Sequence, residues 1–240
     1  MIDRAKSNDF NYGYATFLNV NGEELTTTER TLLNQDKLAM DFYENKNGQI
    51  VEVRVRPMKL VDKFLNIQLR AIANNPLSQF KMVEINCDQL DSMYSEVRKL
   101  DQEVRNEGGN MQTTDSTNRQ AVVSAISKCG FTEDHIQTIW LVFQHSPSEL
   151  MAYYYPYLKE FSEKGILRKS SIALMEDRLL MNNGYKQIYG SQIRGGTLYN
   201  LESPDSVNFR RASMQLGSIE DYIARWGLDF EEEKIRMLSK

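Results

Sequence analysis

The 240-residue chain is poor in the residues that usually announce a site. It holds two cysteines and two histidines, which excludes a dense disulfide scaffold and a zinc site built wholly from Cys and His. Five prolines and 13 glycines exclude collagen-like and low-complexity architectures. No apolar run approaches the ~20 residues of a membrane-spanning helix, so no membrane span is expected. Basic residues are not in excess: 29 Lys and Arg stand against 33 Asp and Glu, for a net charge of −4. Nucleic acid is therefore not an expected partner, because duplex binding needs a basic footprint. Also missing are a G-x-S-x-G elbow, a Walker loop, an H-E-x-x-H helix and Cys pairs at zinc spacing. No metal and no cofactor is assigned.

What remains is an ordinary globular composition, 41% hydrophobic and 26% charged. It is enough chain for one domain with an appended part. Residues 1–6 are charged with no apolar stretch behind them, so no signal peptide is read and the cytoplasm is the expected compartment. An extracytoplasmic location is the alternative if a leader has been removed. Cys87 and Cys129 are read as two buried reduced thiols, with a single disulfide between them as the alternative.

Periodicity divides the chain. Residues 1–57 read as β-rich: a strand over Tyr12 to Val20 before Asn21-Gly22, then a hairpin whose arms, Leu38 to Glu44 and Gln49 to Arg56, flank Asn45-Lys46-Asn47-Gly48. Residues 58–83 read as a helix and linker. Residues 84–230 read as an α-rich core. Its helices cover 88–106, a stretch capped by Asp115 or Ser116 and ending at Cys129, a segment around 136–143 that is apolar on every side, a helix opened by Ser146-Pro147-Ser148-Glu149 and kinked at Pro156, and Ile172 to Asn183. A small hairpin over 186–201 turns at Gly195-Gly196. Residues 231–240 read as a charged, solvated tail. Strands and helices are segregated, so the fold class is α+β: a mostly helical core with a small inserted hairpin, after a short β-rich segment.

Three polar clusters sit where a bland fold would place apolar residues. Gln144-His145 ends the all-apolar helix. Glu176-Asp177-Arg178 interrupts a Leu-rich helix, and three consecutive charges span about 200° of its circumference. At least one of Asp177 and Arg178 must then be paired inside the protein, because an unpaired buried charge costs several kcal/mol. In Gln187-Ile188-Tyr189-Gly190-Ser191-Gln192, an extended backbone would put Gln187, Tyr189 and Ser191 on one face, and Gly190 would admit a close neighbour. Each cluster also has a structural reading: a histidine complementing a helix C-terminus, an ion-pair anchor, plain strand chemistry.

These same residues carry a resemblance. Trp140 to His145, Tyr157 to Glu160, Ala173 to Arg178 and Lys186 to Gln192 resemble the motifs of the bacterial domain-of-unknown-function family DUF6624: a "QH" after an apolar helix, a "DR" in a Leu-rich helix and a "Q-x-Y-G-[ST]-Q". Asp101-Gln102 and Arg105 resemble its upstream "DQ…R". Val207, Arg210-Arg211, Leu216-Gly217 and Tyr222 resemble its closing segment. The likeness covers about residues 88–228. At Asn200-Leu201-Glu202-Ser203-Pro204 the first proline of the family's "P-[IL]-x-[DN]-P" is replaced. The resemblance implies no activity.

Two functional readings follow. The first is a non-catalytic binding or interaction module, in which the clusters form a buried His/Asp/Arg/Gln/Tyr network and the N-terminal hairpin or acidic surface meets a partner. The alternative is an enzyme of hydrolase or transferase type acting on a small polar substrate. There His145 is the acid/base, Asp177 orients its ring or holds Arg178, and Arg178 anchors an anion. Gln144, Gln187, Tyr189, Gln192, Asp101, Gln102 and Arg105 line the site. The expected partner is a small polar molecule or a protein.

Overall fold

The structure, a computed structural model, describes residues 13–33 and 37–239. The chain divides into a unit ending at Ala73 and one beginning at Asn74. Residues 1–6 and Tyr12, on which the leader and the first strand residue were read, lie outside the described residues.

In the first unit, β1 (Thr16–Leu18) lies parallel to β3 (Ile50–Pro57), which pairs antiparallel with β2 (Leu38–Glu44), Phe42 opposite Val53. Alternation decides the faces. Val53 and Val55 are buried with Phe17 and Ala15, whereas Val51 and Arg54 point out. The hairpin turn is set by Asn45, whose side-chain oxygen accepts from the backbone N–H of Asn47 and Gln49, and by Gly48 at φ 76°. A short helix absent from the β-rich reading, α1 (Thr27–Thr31), opens on a Thr26–Glu29 capping box. Helix α2 (Leu60–Asn74) follows Pro57.

The second unit is a helical core. Helices α3 (Leu90–Asn106) and α4 (Met111–Cys129) form an antiparallel hairpin: Asn118 donates to the Val97 carbonyl, and Arg105 reaches Asp115. Helix α4 starts at Met111 under an Asn110 cap, four residues before the cap expected at Asp115, because Gly108 and Gly109 take positive φ and turn the chain at once. The open end of the hairpin is closed by a Cys87–Cys129 disulfide. This corrects the reading of two buried reduced thiols: Cys87 is exposed and Cys129 half-buried.

Helix α5 (Ile136–Gln144) runs parallel to α3, since His135 meets Asp91 and Tyr94 while His145 meets Asp101. It also runs parallel to α7 (Lys169–Asn182), as Gln137 and Trp140 donate to Ser171 and the Gln144 carbonyl accepts from Arg178. Packed between neighbours, α5 needs no polar face, and this explains its all-round apolar sequence. Helix α6 (Ser148–Glu163) begins at Ser148; Ser146 is not its cap but donates back to the Val142 carbonyl. The helix is continuous through Pro156.

The hairpin β4 (Ile193–Arg194) and β5 (Thr197–Leu198) is present but shorter than expected. Helices α8 (Val207–Ser213) and α9 (Ile219–Ala224) follow. The expected charged tail is instead α10 (Phe230–Leu238), capped by Asp229. Its Phe230 joins Leu198, Leu201, Val207, Ile219 and Ile223 in a core. Its Glu233 is buried, accepting from the Leu198 N–H and pairing with Arg236. Acidic residues in a first helical turn also suit the helix dipole. The architecture is the α+β one expected: mostly helical, with a small mixed sheet and a small hairpin. Among the described residues no helix is long and apolar enough to cross a membrane.

Candidate functional site

The site is built from a clamped loop outward. Residues 187–192 are not a strand; they wrap the buried end of Asp177, which is 0% exposed. Asp177 Oδ1 accepts from the backbone N–H of Ile188 (2.6 Å) and Tyr189 (2.9 Å), and Oδ2 from that of Ser191 (2.8 Å). Burial pushes the Asp177 carboxyl above the usual carboxylate range, against the pull of these three donors. The loop carbonyls are held from the other side. Arg210 Nε donates to Ile188 O, Arg211 Nη1 to Tyr189 O and the Tyr222 hydroxyl to Ser191 O.

Gln187 closes the loop on itself, accepting from the Gln192 N–H and donating to the Gln192 and Tyr199 carbonyls. Gly190 has φ 71°, and a Cβ there would fall 2.5 Å from Ile219 Cδ1, the close approach its sequence position suggested. The loop thereby presents Gln192, whose Oε1 accepts from Arg178 Nε at 3.2 Å.

Arg178 joins this loop to the end of α5. Its Nη1 donates to the Gln144 carbonyl at 2.7 Å, a cation on a helix C-terminus. Burial and the nearby Arg105 push the guanidinium down from its ordinary range. Beside it, His145 Nδ1 lies 3.0 Å from Asp101 Oδ1. The carboxylate at this ring is thus Asp101 on α3, not Asp177, whose oxygens are spent on the loop.

Asp101 is a hub. Arg105 Nη1 is 2.9 Å from its Oδ1, and Gln102 Nε2 donates to its Oδ2 at 2.8 Å. Burial works to raise the Asp101 pKa, but the His145 hydrogen bond and the charges of His145 and Arg105, with Gln102, hold it below the usual range. Arg105 Nη2 continues to Asp115 at 2.8 Å. The His145 and Arg105 side chains are each 22% exposed, against 2% for Asp101. Among the described residues His145 Nε2 has no protein partner.

Gln144 is 3% exposed, and its Oε1 and Nε2 are both buried without a partner among the described residues. The third charged residue of the Glu176-Asp177-Arg178 run, Glu176, faces away from this cluster. It accepts from the Tyr155 hydroxyl (2.5 Å) and from Tyr189 (2.9 Å), at a cleft of about 220 Å³ that Lys159 also lines. Tyr189 therefore points to Glu176, and Gln187 into the loop; neither side chain joins His145. Burial raises the pKa of both phenols.

Asp101, Asp115 and His145 place ligand atoms within 4.8 Å of one another, a donor set that could in principle hold a metal. Here the Arg105 guanidinium already bridges the two carboxylates, so an ion would have to displace it. Sequence reading missed Asp115 in this role, and Arg119 entirely. The signal was available: the Gly108-Gly109 turn between two helices sets residues 105 and 115 opposite each other.

Fold and site together define a helical protein whose buried ionic and amide side chains fix one loop and one helix end. The chain belongs to the family of unknown function DUF6624, whose model matches residues 108–231. The match takes in His145, Arg178, the 187–192 loop, Arg210-Arg211 and Tyr222, and begins after Asp101, Gln102 and Arg105. No curated protein and no solved structure matches the chain.

Proposed function

We propose that the second unit is an acid/base site for a small polar substrate, of hydrolase or transferase type. The observation that carries this is His145 Nδ1 at 3.0 Å from the buried Asp101 carboxylate. A carboxylate there favours the tautomer with its proton on Nδ1, leaving the Nε2 lone pair to accept one. In the proposed reaction Nε2 takes a proton from a water whose oxygen bonds to the electrophilic centre, and returns it to the departing group. Arg178 anchors an anionic part of the substrate or offsets negative charge developing beside His145. Asp177 is a positioning residue for the loop that carries Gln192.

The non-catalytic module is the second reading. It is favoured by Asp177, Gln187, Arg210 and Arg211, which hold backbone groups of the 187–192 loop. The partly exposed Cys87–Cys129 disulfide supports work in an oxidising, extracytoplasmic compartment rather than the cytoplasm.

Imidazole nitrogen NMR at mildly alkaline pH tests the acid/base reading. The expected result is a neutral His145 ring with its proton on Nδ1, lost in favour of a mixture in Asp101→Asn. A proton on Nε2 in the wild type overturns it. A thermal-shift screen of metabolites then compares wild type with His145→Ala. A hit that stabilises the wild type should be turned over, with turnover falling roughly 100- to 10,000-fold in His145→Gln. Hits that bind and persist unchanged favour the module.

A further inference from the structure

Two groups beside His145 have hydrogen-bonding capacity that the protein leaves unspent. The first is the Gln144 side chain. Gln137, Trp140 and Gln144 lie at i, i+3 and i+7, one stripe of α5. The first two donate to Ser171 of α7, so the stripe faces α7, and Gln144 meets it about two turns further on, at Arg178. There both ends of its amide are buried without a partner. Such groups are rare, because an unmade buried hydrogen bond is expensive. An amide unpaired at both ends can take an acceptor and a donor from one ligand.

The second group is Arg178. Of its five N–H donors, one meets Gln192 and one the Gln144 carbonyl. Nη2 has no acceptor among the described residues, and no carboxylate pairs with this guanidinium. The local charge is also unbalanced. Arg105 is held by Asp101 and Asp115. Arg119 stands one turn beyond Asp115 and feels its charge, but makes no ion pair among the described residues. Arg178 is thus a guanidinium left without a carboxylate partner among the described residues, in a chain whose net charge is −4.

We infer that the substrate carries a carboxylate with an N–H or O–H donor next to it, received by Arg178 and by both ends of the Gln144 amide, with its reacting bond at His145 Nε2. The unpaired Arg178 guanidinium matches one carboxylate. A phosphate monoester would bring nearly two negative charges and no adjacent donor for Gln144 Oε1. The inference deepens the acid/base reading and rests on it for the reacting end only; the anchor stands or falls separately.

The test is a nitrogen–proton NMR titration of the whole chain with N-acetylglycine, acetate and methyl phosphate, above pH 7 where the ester is mostly the dianion, at matched ionic strength, followed at the Gln144 amide and the Arg178 Nε. N-acetylglycine should saturate both signals at concentrations roughly tenfold lower than acetate, since one hydrogen bond separates them. Methyl phosphate should be weaker than N-acetylglycine. Gln144→Met, which keeps the helix and the volume, should abolish the difference between N-acetylglycine and acetate. Arg178→Lys should weaken both.

Saturation by methyl phosphate at lower concentration, no saturation by N-acetylglycine, or unchanged discrimination in Gln144→Met overturns the inference. His145→Gln separates the two claims. Normal N-acetylglycine binding in that variant, with the wrong wild-type tautomer, removes the acid/base reading and leaves the anchor. The right tautomer with no N-acetylglycine binding does the reverse.

Discussion

Gln144→Met should make the protein more stable. The Gln144 amide is 3% exposed and neither of its polar atoms has a partner. Folding therefore takes an amide out of bulk water with no protein partner for it among the described residues, at a cost of about 1–3 kcal/mol. Methionine has nearly the same shape and a similar helix propensity, so the substitution removes that penalty without opening a cavity. The Arg178 contact is to the Gln144 carbonyl, which the substitution keeps. The expected gain is about 1–3 kcal/mol, read as a shift of the urea midpoint at constant slope. In a melt it corresponds to about 2–4 °C for each kcal/mol. A functional residue whose removal stabilises the fold is what a binding site predicts, since such groups are kept for the ligand and not for folding. A loss of 1 kcal/mol or more would refute the reasoning, because Gln144 would then be an ordinary satisfied core residue.

Three further outcomes follow from the same geometry. Replacing Cys87 and Cys129 by serine, or reducing the wild type, frees a sequence separation of 42, worth about 4 kcal/mol of loop-closure entropy; a midpoint unchanged by reduction would contradict this. Asp177→Ala strands the N–H groups of Ile188, Tyr189 and Ser191, costing at least ~3 kcal/mol, and denaturation showing less than ~1 kcal/mol would mean the loop is held by its other partners without Asp177. Asp101 is held below the usual carboxylate range, so its ionised form adds stability that is complete above about pH 5 and is lost as pH falls toward the folded value. The stability gap between wild type and Asp101→Asn should therefore narrow in acid, and a gap constant with pH would argue against it.

Much of this was legible in the sequence, for reasons that differ by residue. The β2–β3 hairpin could be read because alternation in Val51 to Val55 and the Asn45–Gly48 turn are local signals. The burial of α5 could be read because an apolar residue at every angle admits one explanation. The three polar clusters were visible as groups in the wrong place. Their partners were not, because pairing is set by helix packing. Nothing local says that His145 meets a residue 44 positions earlier while Asp177 turns to a loop 11 to 14 positions later. The disulfide was likewise undecidable, since spacing alone does not bring two thiols together. Residues 231–240 misled because three glutamates imitate a solvated end, while Phe230 and Met237 carry the packing that makes it a helix.

The polar residues of the motifs divide by where their hydrogen bonds go. Asp177, Gln187, Arg210, Arg211 and Tyr222 each bond backbone atoms of one loop and leave that loop with little freedom. Gln144, His145 and Arg178 end with capacity unspent: a whole amide, one imidazole nitrogen and one face of a guanidinium. The first group explains how a loop without regular structure can hold Gln192 against Arg178. It gives no reason to keep an unpaired amide beside an arginine that no carboxylate balances. A fold selected for stability alone would lose Gln144 to an apolar residue and give Arg178 an acid. That neither substitution is present in this chain is an argument that the second group serves something outside it, and the Gln144→Met measurement weighs that argument directly.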